Sequence, residues 1–491
     1  MTRTLIQGGW IVGFQHGQHA ILRDGVVVYE DDRILYVGAH FAGAVDIVIP
    51  AVGKLVAPGF VNIHALANID IQTLVLDTNE DGLATSEAAA RRGARELELR
   101  QEHLHASSRF SLLQLLKGGS TTIVEITTMA PSGFETSRAE APSLVDAAVD
   151  LGVRLYVSHK FRAGKRFLTS SGVRRYLWDH AAAQAGLDYA EEIVGRYEGA
   201  HGDRIRTMIF PYQFDACTPD LLAAAKAGAK RLKVPIHLHV AQSLFEFHDC
   251  LRRHGKTPVQ LLDSIGFLDE QTILTHLIYT TLHPAAGYPV GDVSDLRTVA
   301  VRGATVAHCP VVYARRNRLL GSFARYRDLG INVGLGTDTF PQDMIEEMRW
   351  AALGGKWSDR DANRATARDV FNAATLGGAQ ALGRSDIGRL APGAKADIII
   401  VDLHRLHNGP VDDPIKTLVY AAAGSDIETV IVDGRTVLAG GKAPGVDEDA
   451  LRRAAVAAHR WQQGQFVAHS PTDKPASVLF PSSYPVIGSA P

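Results

Sequence analysis

The chain has little cysteine, no long apolar run and almost no net charge, and each shortage removes a class of function. Its three cysteines, Cys217, Cys250 and Cys309, cannot build a disulfide framework, and none sits in a Cys-x-x-Cys pair. A reducing cytoplasm is the expected setting. No stretch approaches the ~18 consecutive apolar residues of a membrane span, and the opening Met-Thr-Arg-Thr-Leu-Ile-Gln-Gly-Gly-Trp lacks the apolar run of a signal segment. With 51 basic and 53 acidic residues the net charge is -2, which gives no field for steering nucleic acid or an anionic membrane surface. The expected partners are therefore a small neutral substrate and water.

What is present fits a globular α/β protein: 491 residues, 46% hydrophobic and 21% charged, with 46 glycines to serve many strand-to-helix turns. That length exceeds one ordinary core, so a large domain with a smaller one is expected. Residues 5–56 read as short strands, among them 25–29 and 33–37, separated by turn residues. Similar strands return at 396–401 and 426–432, followed by a hairpin at 432–438. The two separated β pieces are expected to pair.

Between them, apolar runs alternate with amphipathic helical runs. Segment 204–210 precedes a helix at 219–229, and 234–240 precedes one at 245–253; further strand-like runs are 272–276, 304–308 and 332–336. This βαβα order implies a parallel sheet or barrel. A helix from Asp447 through Trp461 and a Pro- and Ser-rich tail close the chain.

Chemistry-bearing residues gather at the ends of the strand-like runs: His64, His239, His276, His308 and Asp338. In a parallel barrel those ends converge on one mouth. Neutral imidazoles and a carboxylate suit a borderline divalent ion with a position left open for water. One strand-end histidine alone is more often a hydrogen-bonded core residue; five strand ends in succession favour a metal site.

The segments Ala57-Pro-Gly-Phe-Val-Asn-Ile-His64, His239, His276, Ala307-His-Cys-Pro310, Gly336-Thr-Asp338, Ala374-Thr-Leu-Gly-Gly-Ala379 and Gly388-Arg-Leu-Ala-Pro-Gly-Ala-Lys-Ala-Asp397 together resemble the amidohydrolase superfamily. Within it the chain resembles the triazine hydrolase, cytosine-deaminase-like and phenylurea or molinate hydrolase branches. The resemblance implies an α/β fold: a distorted (β/α)8 TIM barrel at 58–385, a small composite β-sandwich from 1–57 and 386–446, and a C-terminal helix and tail at 447–491. It also implies homo-oligomers and one divalent ion, zinc first and cobalt or iron otherwise, held by His64, His239 and Asp338. His276 would hydrogen-bond the substrate or the attacking water.

Two positions depart from the family pattern. Position 66, where a second histidine is usual, is Leu66, a side chain without a donor atom. Strand alternation puts Asn62 on the same face as His64 and Leu66, and the Asn62-Ile-His64 order resembles the phenylurea hydrolase branch. Asn62 is thus a candidate fourth ligand; the competing reading makes it an ordinary residue before the first ligand. Three residues after His239 stands Gln242 in place of a glutamate, and an amide orients by hydrogen bonding but does not transfer protons.

Glu125 and Lys160, near other strand ends, are lesser ligand candidates. His237 and His308 are assigned to the substrate side of the site, His237 also as a residue that fixes a ligand's orientation. The stretch 280–298 is long enough to cap the pocket.

The expected reaction is attack of metal-activated water on an amide, urea or carbamate C–N bond of a small, neutral, xenobiotic-like molecule. Asp338 would move the proton, His276 would stabilise developing charge and Gln242 would position the substrate. Two alternatives stand beside it: dechlorination or deamination of a heteroaromatic ring, and a catalytically silent scaffold, which Leu66 favours.

Overall fold

The computed structural model describes residues 2–67, 86–92, 101–126, 134, 137–470, 474–485 and 487. Parts of the expected tail, 471–473, 486 and 488–491, lie outside the described residues.

Eight short parallel strands make the centre of the molecule: β1 Phe60–Ala65, β2 Ser120–Glu125, β3 Arg154–Val157, β4 Ile205–Thr207, β5 Ile236–Val240, β6 Thr272–His276, β7 Thr305–His308 and β8 Val333–Leu335. They form two four-stranded sheets, in the orders β4-β3-β2-β1 and β5-β6-β7-β8. Isolated parallel bridges link the sheets at both margins, Ile209↔Ile236 on one side and Ala65↔Asp338 on the other. Helices alternate with the strands, among them Gln101–Lys117, Glu140–Leu151, His180–Tyr197, Pro219–Leu232, Leu244–His254 and Ser294–Arg302.

The strand β5, Ile-His-Leu-His-Val, is buried throughout, as a parallel strand covered on both faces must be. Ile236, Leu238 and Val240 join a core that includes Leu222, Ala225 and Ala229 of the preceding helix. Alternation sends His237 and His239 to the other face. The helix Pro219–Leu232 starts where Thr218 accepts a hydrogen bond from the Leu221 amide, with Pro219 in the first turn, and stops at the left-handed Lys233.

The expected pairing of the two chain ends is found. Leu55–Pro58 lies antiparallel to Ile398–Val401, with Ile398 opposite Pro58 and Val401 opposite Leu55. A six-stranded sheet runs Arg435–Leu438, Ile427–Val432, Ile398–Val401, Leu55–Pro58, Trp10–Gln15, Gln18–Arg23. A second, four-stranded sheet from the N-terminal segment shares an apolar cluster with it, including Ile6, Val27, Val56, Ile398 and Ile431.

The end strands meet the central strands through buried charge. Arg154, at the start of β3, places its guanidinium 3.3 Å from Asp397 and 3.2 Å from Asp433, and Lys395 lies 2.8 Å from Asp433. Asp397 also accepts the Asp433 amide at 2.8 Å.

Three features differ from expectation. A hairpin of Gly164–Leu168 and Arg174–Trp178 follows β3, unannounced by periodicity in the sequence. Residues 280–298 fold into a short turn at Pro284–Ala286 and lead into a helix, and they do not line the cavity described below. The C-terminal helix, Glu448–His469, runs further than Trp461 and is tied to the core by Lys117 and Glu448 at 2.6 Å. Among the described residues no helix is long and apolar enough to cross a membrane.

Candidate metal centre

The C-terminal ends of β1, β5 and β6 and the turn after β8 deliver His64, His239, His276 and Asp338 to one place. Nε2 of His64 and Nε2 of His276 each stand 3.5 Å from Oδ2 of Asp338. That is too long for an N–H···O hydrogen bond. It matches two donors bound to a shared tetrahedral ion, which at ~2.0–2.1 Å bonds lie roughly 3.4 Å apart. The ligand atoms of His64, His239 and His276 all lie within 4.8 Å of one another, as do those of His64, Cys309 and Asp338.

Backbone geometry serves this convergence. His276 and Asp338 have φ of 77° and 54°, a region that disfavours side chains other than glycine and that costs on the order of 1–3 kcal/mol per residue where the fold imposes it. Gly336 permits the crossing of β8 over β1: a Cβ there would sit 2.6 Å from Cβ of His64 and 2.7 Å from its carbonyl oxygen. The Asp338 amide then donates to the His64 carbonyl at 2.8 Å, and the Leu66 amide to the Asp338 carbonyl at 2.7 Å.

The imidazoles are held ready on their far sides. Nδ1 of His239 lies 2.7 Å from the Tyr212 carbonyl, and Nδ1 of His64 lies 3.1 Å from Nε2 of His237, which also meets the Thr275 hydroxyl. Both leave Nε2 for the centre, and Nε2 of His64 is buried with no hydrogen-bond partner. Burial, then the neighbouring His64 ring, holds His239 down to about 3, and burial, then His239, holds His276 well below the usual histidine range. Neutral rings are what a cation requires of its ligands. Buried imidazoles, one with an orphaned Nε2, beside a carboxylate are a donor set that fits a divalent ion of the zinc type.

The remaining expected residues divide. Asn62 does not offer a lone pair: Oδ1 accepts the amides of His64 at 3.3 Å and Thr337 at 3.2 Å, and Nδ2 donates to the Thr337 hydroxyl at 2.9 Å. Leu66 lines the cavity where a donor was missing. Glu125 accepts the Ala67 amide at 2.7 Å and belongs to neither cluster that could share an ion, and Nζ of Lys160 lies 4.6 Å over the Tyr212 ring.

Gln242 lines the cavity and accepts a 2.7 Å hydrogen bond from the Tyr313 hydroxyl. His237 and His308, assigned to substrate contact, do not line it. His237 sits behind His64, and His308 faces a separate small space with Phe323, Leu320 and Trp350.

The cavity over the centre encloses about 170 Å³ and is polar, bordered by Arg166, Tyr212, Gln213, Gln242, Tyr313 and Arg316 besides the metal-centre residues. Arg166 arrives on the unforeseen hairpin, 3.8 Å from Asp215 and hydrogen-bonded to Gln213. Two guanidinium groups, Arg166 and Arg316, line the cavity, a local charge that the near-zero net charge of the chain did not announce. Of the residues missed, Tyr313 was traceable: Pro310 marks the first turn of a helix directly after a strand end.

Two consequences are measurable. His237→Ala removes the ring that fixes His64 and is expected to weaken metal binding 10–100-fold, read by competition with a chelator; unchanged affinity would show that His64 needs no such support. His308 is held near 3 by burial alone. Because its ring is neutral when folded and takes a proton on unfolding, its contribution is complete above about pH 6.5 and falls as pH drops toward 3. Relative to wild type, His308→Gln should therefore gain about 2 kcal/mol between about pH 7.5 and pH 5. Parallel urea midpoints for the two proteins at both pH values would contradict this.

A sequence profile described as Amidohydrolase family matches residues 55–437. The chain is 31% identical over 430 residues to a 5-methylthioadenosine/S-adenosylhomocysteine deaminase of Natronomonas pharaonis, covering 87% of this chain and 90% of that one. Its fold is shared with an adenosine deaminase from Xanthomonas campestris with bound zinc, at TM-score 0.77 and 22% identity over 95% of this chain and 99% of that one. It is shared equally with the atrazine chlorohydrolase TrzN of Arthrobacter aurescens complexed with zinc, at TM-score 0.77 and 21% identity over 93% and 100%. The likeness thus runs to deaminases and a triazine hydrolase, and the expected likeness to phenylurea and molinate hydrolases is corrected accordingly.

Proposed function

Since the chain belongs to the amidohydrolase family and is a metal-dependent enzyme of hydrolytic C–N chemistry, we propose that it removes an amino group from an amino-substituted nitrogen heterocycle of the adenosine type. Water adds to the ring carbon, the C–NH2 bond breaks, and the products are the ring carbonyl and ammonia. The observation that carries this reading is the convergence of His64, His239, His276 and Asp338 in a chain that matches a nucleoside-type deaminase over most of its length.

His64, His239 and Asp338 form the core of the ligand set. A bound divalent ion supplies acidification of water and polarisation of the electrophile. Asp338, whose Oδ2 faces both His64 and His276, takes the proton of the attacking water and returns it to the departing amine. The Tyr313 hydroxyl occupies the carbonyl oxygen of Gln242, which turns the carboxamide NH2 toward the cavity as a donor for a ring nitrogen. Asn62 acts as a positioning residue, locking the turn that carries Asp338 to the strand that carries His64.

In this reading the eight central strands form one ring at 58–385, with the β-sandwich of 1–57 and 386–446 beside it and a helix and tail at 447–491. The margin bridges and the shared end sheet support it.

A second reading, hydrolysis of an amide, urea or carbamate, is favoured by Gln242, since those substrates need no acid at a ring nitrogen. Metal-quantified enzyme assayed for ammonia with 5-methylthioadenosine, adenosine and an aminotriazine, and for amine with an aryl urea and a carbamate, separates the two. Turnover confined to the urea or carbamate would overturn the deaminase reading. The silent-scaffold reading is weakened by the retention of four convergent donors and by enzymatic relatives across the whole match.

A further inference from the structure

Resting on the metal-centre reading above, we propose that His276 is itself a ligand of the ion, filling the coordination position that Leu66 leaves without a donor, and is not a substrate-contacting ring. Leu66 and His276 both border the cavity above Asp338. The first carries no atom that can ligate. The second stands in the same relation to the carboxylate as His64 does, its Nε2 3.5 Å from the same Oδ2. It belongs with His64 and His239 to a three-imidazole cluster whose donor atoms lie within 4.8 Å of one another. Three imidazoles and one carboxylate would give zinc four protein donors, and the attacking water would enter as a fifth, a coordination number that catalytic zinc reaches.

The other donors nearby serve less well. Asn62 has both lone pairs of Oδ1 engaged by backbone amides. Cys309, grouped with His64 and Asp338, does not line the cavity that Leu66 and His276 border. Unlike the rings of His64 and His239, which are held from behind, His276 has a buried Nδ1 with no hydrogen-bond partner, so its backbone alone aims the ring. The left-handed φ of 77° at His276 is then the means by which a strand-end side chain is turned down onto the ion. With His276 committed, charge forming on the substrate is met by the Gln242 carboxamide, which is held by Tyr313, whose ring centroid lies 4.5 Å from that of His276.

The test is metal binding by the purified full-length protein, with zinc and cobalt as probes, for wild type, His276→Ala, His276→Gln and Cys309→Ala. The expected result is one ion per wild-type chain, a loss of affinity of more than about 100-fold in both His276 variants, beyond the 10–100-fold effect of losing an orienting partner, and altered visible bands in their cobalt forms. Cys309→Ala should match wild type in affinity and spectrum. Circular dichroism shows which variants are folded, and the conservative His276→Gln carries the test if His276→Ala is not. Wild-type affinity and an unchanged cobalt spectrum in a folded His276 variant overturn the assignment while leaving the metal centre intact. A thiolate-to-cobalt charge-transfer band that disappears in Cys309→Ala overturns it in favour of the thiol. A wild-type protein that binds neither ion overturns instead the metal-centre reading on which the assignment rests.

Discussion

Asp338→Asn is expected to lower kcat/KM by about 10³-fold or more, equivalent to about 4 kcal/mol of lost transition-state stabilisation, with the fold unchanged. The effect is large because one carboxylate does two things. It faces two imidazoles at 3.5 Å in the cluster proposed to hold the ion, and it is the proposed carrier of the proton between water and amine. The fold should tolerate the change because asparagine has nearly the same shape and is among the residues most at ease with the φ of 54° found there. Steady-state kinetics, a metal titration and a thermal melt on the same preparation make the check. Activity within tenfold of wild type would remove Asp338 from the proton path.

The second large effect is on stability. Arg154→Met should destabilise the protein by about 3–5 kcal/mol, because it withdraws the guanidinium from Asp397 while leaving that carboxylate buried. Asp433 suffers less, since Lys395 remains 2.8 Å away. The network sits at the starting ends of the strands, opposite the metal centre, so activity of the folded fraction should stay close to wild type. Denaturant midpoints report the first outcome and kcat the second. A midpoint equal to that of wild type would mean that the ion pair is replaceable by apolar packing, as buried pairs sometimes are.

The same network explains why part of the sequence was easy to read for the wrong reason. Lys395 and Asp397 belong to the Gly388-to-Asp397 motif that helped to identify the family. In the structure they lie in the charge network of the end strands: Asp397 joins them to Arg154 of β3, and Lys395 pairs with Asp433. The strand-end histidines were legible because parallel strands with helical connections leave only one mouth for their C-terminal residues, so His64, His239, His276 and Asp338 had to converge if the alternation was read correctly.

The role of Asn62 was not legible. Strand periodicity put it on the right face, but whether its oxygen meets an ion or two backbone amides depends on Thr337, 275 residues away. His308 shows the opposite error: a strand-end position alone did not reveal that its ring turns toward Phe323 and away from the cavity. The hairpin that brings Arg166 was hidden because Gly-Lys-Arg-Phe-Leu and Arg-Arg-Tyr-Leu-Trp lack clean alternation, so the Ser171-Gly172 turn dipeptide between them had no recognisable strands to join. Its place comes from tertiary contacts, among them those of Arg166 with Gln213 and Asp215 and of Arg174 with the Phe245 ring.

The sheet shared by both chain ends sets an order of events during synthesis. Leu55–Pro58 leaves the ribosome more than 300 residues before Ile398–Val401, so one of its edges has no native neighbour for most of the time the polypeptide is being made. Pairings of such large sequence separation are slow to form, and an open strand edge invites association with other nascent chains. Nonsense codons shortly before position 398 should therefore yield aggregated material and not a soluble central body, even though His64, His239, His276 and Asp338 would already have been translated.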